Sequence, residues 1–307
     1  MNRFLKYILV FILPFPIIAA ILEYEIRQVP NPYKYKYEWM QKNAADVVTL
    51  VFGSSHTFWG IRPEYLEGKA FNLANVSQGW EQDWFLLNYW ANNYKQLRTV
   101  ILPISFFSWF SQGMEYGFES FRCRYYKIYM DCNLYSDFSI YSLELFDWDT
   151  ARIKLQKLYS NSIELDYDEL GCANVNKLTG KNLKMWENGS EADAAIKRHT
   201  AKNWDFIAKN QAIMKHIAVF CKNRNIQLIL ITTPCWSSYT DNLDKKQLAK
   251  MYELTHQFQH EYQLPYFDYL KDPRFTADDF IDSNHLSDVG AIKFSQILNA
   301  DILSLSK

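Results

Sequence analysis

The sequence predicts an α/β fold built on a parallel sheet. Three observations carry that expectation. Five short runs are apolar and rich in β-branched residues, with no polar face, as strands buried from both sides require. Segments with helical periodicity lie between several of them, the pattern of a sheet with helices on both faces. The chain has 307 residues, enough for one large domain or two small ones around a substantial core.

The elements follow in order. "MNRFLKYILVFILPFPIIAAILEYEIRQ" carries Arg3 and Lys6 ahead of an uncharged apolar run from Tyr7 to Leu22. As one helix that run measures about 24 Å, slightly short of a hydrocarbon core of about 30 Å, and Phe4 and Leu5 can extend it. Positive charge before the run predicts a cytoplasmic N-terminus with the rest exported. Pro14 and Pro16 would kink such a helix. The reading is an uncleaved single-pass anchor. A cleaved signal peptide competes with it, since Ala19-Ala20 could lie near a cleavage site, although the match to a small-x-small pattern is poor. "RQVPNPYKYKYEWMQKNAA" then reads as a polar, aromatic-rich stalk.

"DVVTLVF", "AFNLA", "TVILPI", "IQLILITTP" and "LPYFDY" are the five expected strands. "EQDWFLLNYWANNY" reads as a helix. "NWDFIAKNQAIMKHIAVFCKNR" carries Phe206, Ile213, Ile217 and Phe220 as a helical stripe, and "KKQLAKMYELTHQFQHEY" continues the alternation. The last helix starts at Ser287, a good N-cap, and presents Ile292, Phe294, Ile297, Leu298 and Ile302. Residues 105 to about 200 break the alternation and read as an irregular insertion or lid. The expected organisation is an anchor over 1–25, a stalk over 26–45, and an α/β domain over 46–307 that carries the insertion.

Composition excludes several classes of function. With 33 Lys+Arg against 34 Asp+Glu, the chain has no electrostatic footprint for nucleic acid. The sequence has no phosphate loop, no dinucleotide fingerprint and no Cys/His cluster at zinc spacing, so no cofactor and no metal is expected. The five cysteines cannot all pair internally; Cys123 and Cys132 are the pair that could. Aromatic residues are 17% of the chain, enough for a wide apolar cleft as well as a core.

Two segments carry candidate chemistry. "LVFGSSHTFWG" ends the first strand in Gly53, Ser54, Ser55 and His56. Ligands of open parallel sheets bind at the carboxyl ends of strands, which is where this cluster falls. A serine nucleophile needs a base, and the base needs a carboxylate to hold its tautomer. Among the six histidines, His216, His256 and His260 fall inside helical patterns, and His199 lies in a polar stretch. His285 differs: it sits in "FIDSNHLSDVGA", three residues after Asp282 and just before the final helix.

That joint placement resembles the SGNH (GDSL-type) hydrolase superfamily, over roughly Asp46 to the C-terminus outside the insertion. The resemblance implies a flavodoxin-like three-layer α/β/α sandwich. It implies Ser55 as nucleophile, with Ser54 where the family commonly has Asp, and Asp282 and His285 as acid and base. "FNLANVSQGW" is similar to the second block, whose glycine N–H helps form an oxyanion hole. Gly79 is the nearest glycine, and Ser77 or Gln78 could hold the aligned place. "VILPISFFS" occupies the third block, where the family's Asn donor is missing and Ser105 is its substitute. The GSS form, the missing Asn and the anchor resemble the branch with the D-alanyl transfer protein of teichoic acid synthesis and the acetylation proteins of exported polysaccharides. By that resemblance the domain is extracytoplasmic and bacterial. It works on cell-envelope glycan, beside a membrane-bound O-acyltransferase, through an acyl-serine intermediate. His56, Asn75 and Trp236 are the candidate substrate contacts, although a residue placed like His56 more often packs or caps the helix that follows, and core packing outweighs sugar stacking for any one of Trp59, Trp80, Trp84 and Trp236. "NVS" at Asn75 and "NGS" at Asn188 match a glycosylation acceptor, which would carry no meaning in a bacterial protein.

Overall fold

The computed structural model describes residues 3–117, 119–135, 141–160, 162–174 and 190–305. Five parallel strands, β1 (Thr49–Val51), β2 (Ala70–Asn72), β3 (Thr99–Pro103), β4 (Gln227–Thr232) and β5 (Tyr266–Asp268), form one sheet in the order β2-β1-β3-β4-β5. All five fall within the runs expected from sequence. The order reverses between β1 and β3, so their carboxyl ends open on the crevice where such sheets hold ligands.

Alternation along the strands sorts the core into two layers. Leu50, Val100, Leu102, Leu228 and Leu230 pack with Met40, Leu86, Met214 and Leu254. Those four come from helices Pro32–Asn43, Trp80–Tyr89, Ile207–Asn223 and Lys245–Tyr262. Val51, Ile101, Ile229 and Ile231 face the other way, onto Phe294 and Leu298 of the last helix, Asp288–Ser304. Neighbouring residues on one strand thus enter different cores, which is why these strands are apolar throughout.

Two N-terminal expectations are corrected. The apolar run is not one helix: the ladder breaks at Leu13 between Arg3–Ile12 and Pro14–Gln28. Pro14 and Pro16 supply no N–H to the preceding turn, and a proline opens the second helix where its missing donor costs least. No helix among the described residues is long and apolar enough to cross a membrane. The segment read as a stalk is a packed helix, Pro32–Asn43, capped by Asn31, with Tyr33 and Met40 in the core. Its Lys36 is wholly buried, donates to the Ala74 carbonyl and lies 4.4 Å from the Phe58 ring. Polar residues at helical spacing concealed an inward face whose one cation finds a backbone partner.

The expected insertion is a folded body as far as it is described. Trp109 and Tyr126 are fully buried. Part of it covers the sheet edge: the Asn72 N–H donates to the Leu170 carbonyl at 3.0 Å, and a Cβ on Gly171 would lie 2.4 Å from the Asn72 oxygen. Another part ties down the second N-terminal helix. Glu23 accepts from the Glu144 and Leu145 N–H groups at 3.0 and 3.1 Å. Cys123 and Cys132, the pair that could have bridged, are buried free thiols. Asn188 lies outside the described residues.

Candidate active site

The turn after β1 explains its own sequence. Gly53 has φ +111°, and a Cβ there would fall 2.1 Å from Pro103 of the neighbouring strand. Only glycine fits that combination. Its N–H is held by the Asp83 carboxylate at 3.1 Å. Helix Ser55–Gly60 starts immediately, pinned by the Thr57 hydroxyl to the Phe52 carbonyl at 2.8 Å. Ser55 is the one half-exposed residue in a run of buried ones from Val51 to Phe58.

The second segment is a tight loop before the last helix. Asp282 Oδ1 accepts the Asn284 and His285 N–H groups at 2.9 and 2.8 Å, and the Ile281 N–H returns to the His285 carbonyl at 3.0 Å. The next helix is capped by Ser287, and its Gly290 packs so closely that a Cβ would lie 1.9 Å from the Asp279 carbonyl. From the insertion, Glu191 accepts the Ser283 N–H at 3.2 Å.

These two segments bring Ser55, His285 and Asp282 together. His285 Nε2 lies 2.9 Å from Ser55 Oγ, and its Nδ1 lies 2.9 and 2.8 Å from the two Asp282 oxygens. A carboxylate only accepts, so Nδ1 carries the proton and Nε2 is left to accept from Ser55. Burial works to raise the Asp282 carboxyl. The His285 ring and the two loop N–H groups outweigh it and hold the carboxyl below its ordinary range. Trp59 stands edge-on to the His285 ring at 4.4 Å between centroids. Chemically, this arrangement can deprotonate a serine hydroxyl as it attacks an electrophilic carbon.

The other expected residues are placed differently. Gly79 lines the cavity beside the Gly53–Ser54 turn, together with Ser77, Gln78, Asp83 and Ser105. Its N–H is already given to Gln82 Oε1 at 3.0 Å, in the first turn of helix Trp80–Tyr89. Ser77 carries the positive φ, 60°, that a glycine would favour, so the special backbone position falls two residues before the glycine. Asn75 has no exposed surface and its amide donates to Gln78 at 3.3 Å, which puts it behind the cavity. The Trp236 ring packs near Phe280, 5.8 Å between centroids, while the backbone N–H of Trp236 donates to the Ser283 carbonyl. His56 is buried and faces inward: Nδ1 lies 3.2 Å from Ser105 Oγ, and Nε2 lies 3.0 Å from Asn284 Nδ2.

Sequence reasoning missed three neighbours. Asn284 lies inside "FIDSNHLSDVGA", directly before His285, where its side-chain amide is a legible polar neighbour of the ring. His199 sits with its ring 6.0 Å from that of His56 and bonds the Tyr239 hydroxyl at 2.7 Å; burial, then the His285 charge, pushes its pKa down to about 3. Nothing local marks it, because the insertion alone brings it back to the sheet edge. Asp83 was legible only as a polar position on a helix. Compared with known proteins, the sequence matches no family model and no curated protein.

Proposed function

We propose that the chain is a membrane-anchored serine esterase or O-acyltransferase of the SGNH type, acting extracytoplasmically on cell-envelope glycan or an acylated polymer. The observation that carries the reading is the unbroken hydrogen-bonded series from Ser55 through His285 to Asp282. Ser55 Oγ attacks the acyl carbon of an ester donor as its proton passes to His285 Nε2. Asp282 steadies the imidazolium that forms. The proton then goes to the departing alcohol, leaving an ester on Ser55. A glycan hydroxyl, deprotonated in turn by His285, takes the acyl group and frees the serine; water in its place gives hydrolysis. The anchor is read as the bent helix pair, whose Tyr7, Val10, Phe11, Phe15, Ile17 and Ile21 side chains are exposed. Those side chains favour lipid, and a multi-span O-acyltransferase is the partner the family resemblance implies.

Covalent labelling with a fluorophosphonate tests the core of this. Wild type should label and Ser55→Ala should not; equal labelling of both sinks the assignment. Aryl acetate turnover with and without a glycan acceptor then separates transferase from esterase.

A second reading is supported by two observations: the Gly79 N–H is committed to Gln82, and the third block lacks its Asn. On that reading the domain is a catalytically weak scaffold or glycan-binding partner. Absence of labelling in a folded wild type would favour it.

A further inference from the structure

His56 follows the nucleophile directly, yet it is buried and turned away from solvent, with both ring nitrogens engaged. The amide nitrogen of Asn284 can only donate, so His56 Nε2 must accept and the ring proton must sit on Nδ1. That proton is then donated to Ser105 Oγ at 3.2 Å. A hydroxyl that accepts one hydrogen bond keeps its single proton for another partner. The Ser105 N–H is separately held by Ser108 Oγ at 2.9 Å, which fixes the backbone that carries the hydroxyl. Ser105 lines the cavity beside the Gly53–Ser54 turn, at the end of β3 next to β1. The same Asn284 nitrogen also approaches His285 Nε2 at 3.4 Å, so one amide faces the acceptor nitrogen of both imidazoles.

We propose that His56 is a positioning residue: set in its Nδ1–H form by Asn284, it orients Ser105 so that the serine hydroxyl donates to the oxyanion formed on the acyl carbon at Ser55. This rests on the acyl-serine reading above. It explains how a serine serves where an amide side chain would otherwise donate. A bare hydroxyl rotates freely and points its proton at whatever acceptor is nearest. One that is obliged to accept from a fixed imidazole is preorganised, and preorganisation is what makes a donor catalytic. The ring must stay neutral for this. Burial, then the charges of His285 and His199 beside it, keep its pKa well below the ordinary imidazole value. Phe107, 5.8 Å away between centroids, closes another side of the ring.

The test is a double-mutant cycle on the full chain, read as kcat and KM for an aryl acetate. Ser105→Ala should lower kcat on the order of 10²-fold with KM little changed. His56→Phe should lose most of that factor, and the double variant should be no worse than Ser105→Ala alone. His56→Asn, whose amide nitrogen falls near the Nδ1 position, should recover activity, whereas His56→Gln should not. Additive losses, or equal activity of the Asn and Gln variants, overturn the proposal. Histidine ¹⁵N NMR of the full chain gives a readout independent of turnover. His56 should be a neutral Nδ1–H ring between about pH 5 and pH 8, and its Nδ1 signal should shift in Ser105→Ala. An Nε2–H ring, or titration in that range, overturns it even in an active enzyme. If wild type neither labels nor turns over, the acyl-serine reading fails, and the tautomer still decides whether Asn284, His56 and Ser105 are coupled.

Discussion

The two sides of the Ser55 hydroxyl are built differently. On the base side, every side-chain polar atom of Ser55, His285 and Asp282 has a partner, and most lie within one loop of four residues. On the cavity side, the Gly79 N–H is spent on Gln82, Ser105 shares its hydroxyl with His56, and Ser54 Oγ and Asp83 Oδ2 are buried with no hydrogen-bond partner among the described residues. The base side is local in sequence and self-consistent. The cavity side is assembled from three strands' ends and carries unpaired polar groups. On the proposed acyl-serine reading, proton transfer is the better-provided step and charge stabilisation rests on fewer donors.

Breaking the base side should have the largest effect. Ser55→Ala should abolish labelling, and Asp282→Asn should cut the aryl acetate kcat by roughly 10⁴-fold by allowing the wrong His285 tautomer. A drop below about tenfold for Asp282→Asn would show that the carboxylate serves the loop and not the base.

The next effect is on stability and comes from Asp83. Burial pushes its carboxyl up to about 7, against the hydrogen bonds from Gln78 and Gly53. The folded chain thus holds this proton more tightly than the unfolded chain does. The stability it contributes is full below about pH 4 and is lost as pH rises through about 7, at a cost on the order of 4 kcal/mol. Asp83→Asn keeps the acceptor facing Gly53 and removes the titration. In denaturant unfolding it should match wild type near about pH 4 and exceed it near about pH 8. An equal gap at both pH values would remove Asp83 as the titrating group.

The smallest effect sharpens the comparison most. Gln82→Leu frees the Gly79 N–H and removes the side-chain bond that caps the helix start, at about 1 kcal/mol of stability. If Gly79 has no part in the site, the labelling rate should stay within about twofold of wild type. A rise on the order of tenfold would mean the amide is a latent oxyanion donor that Gln82 withholds.

The local chemistry of the chain determined a good deal. Apolar runs without a polar face specified strands buried on both sides, and the small residues after β1 specified a turn that only Gly53 can make against Pro103. The Asp282–His285 spacing specified a carboxylate that folds back on its own loop, because an Asp side chain can bond the amides two and three residues on. These depend on neighbours within a few residues. What the tertiary structure alone decided lies farther apart. Whether a cation such as Lys36 is buried depends on a carbonyl 38 positions away, so a packed helix read as a stalk. The use of the Gly79 N–H depends on which way Gln82 turns. His199 reaches the site only through the insertion, and His56 faces Ser105 and Asn284 only because β3 and the last loop converge beside β1. Hydrogen bonding selects partners by position in space, and only the fold supplies that position.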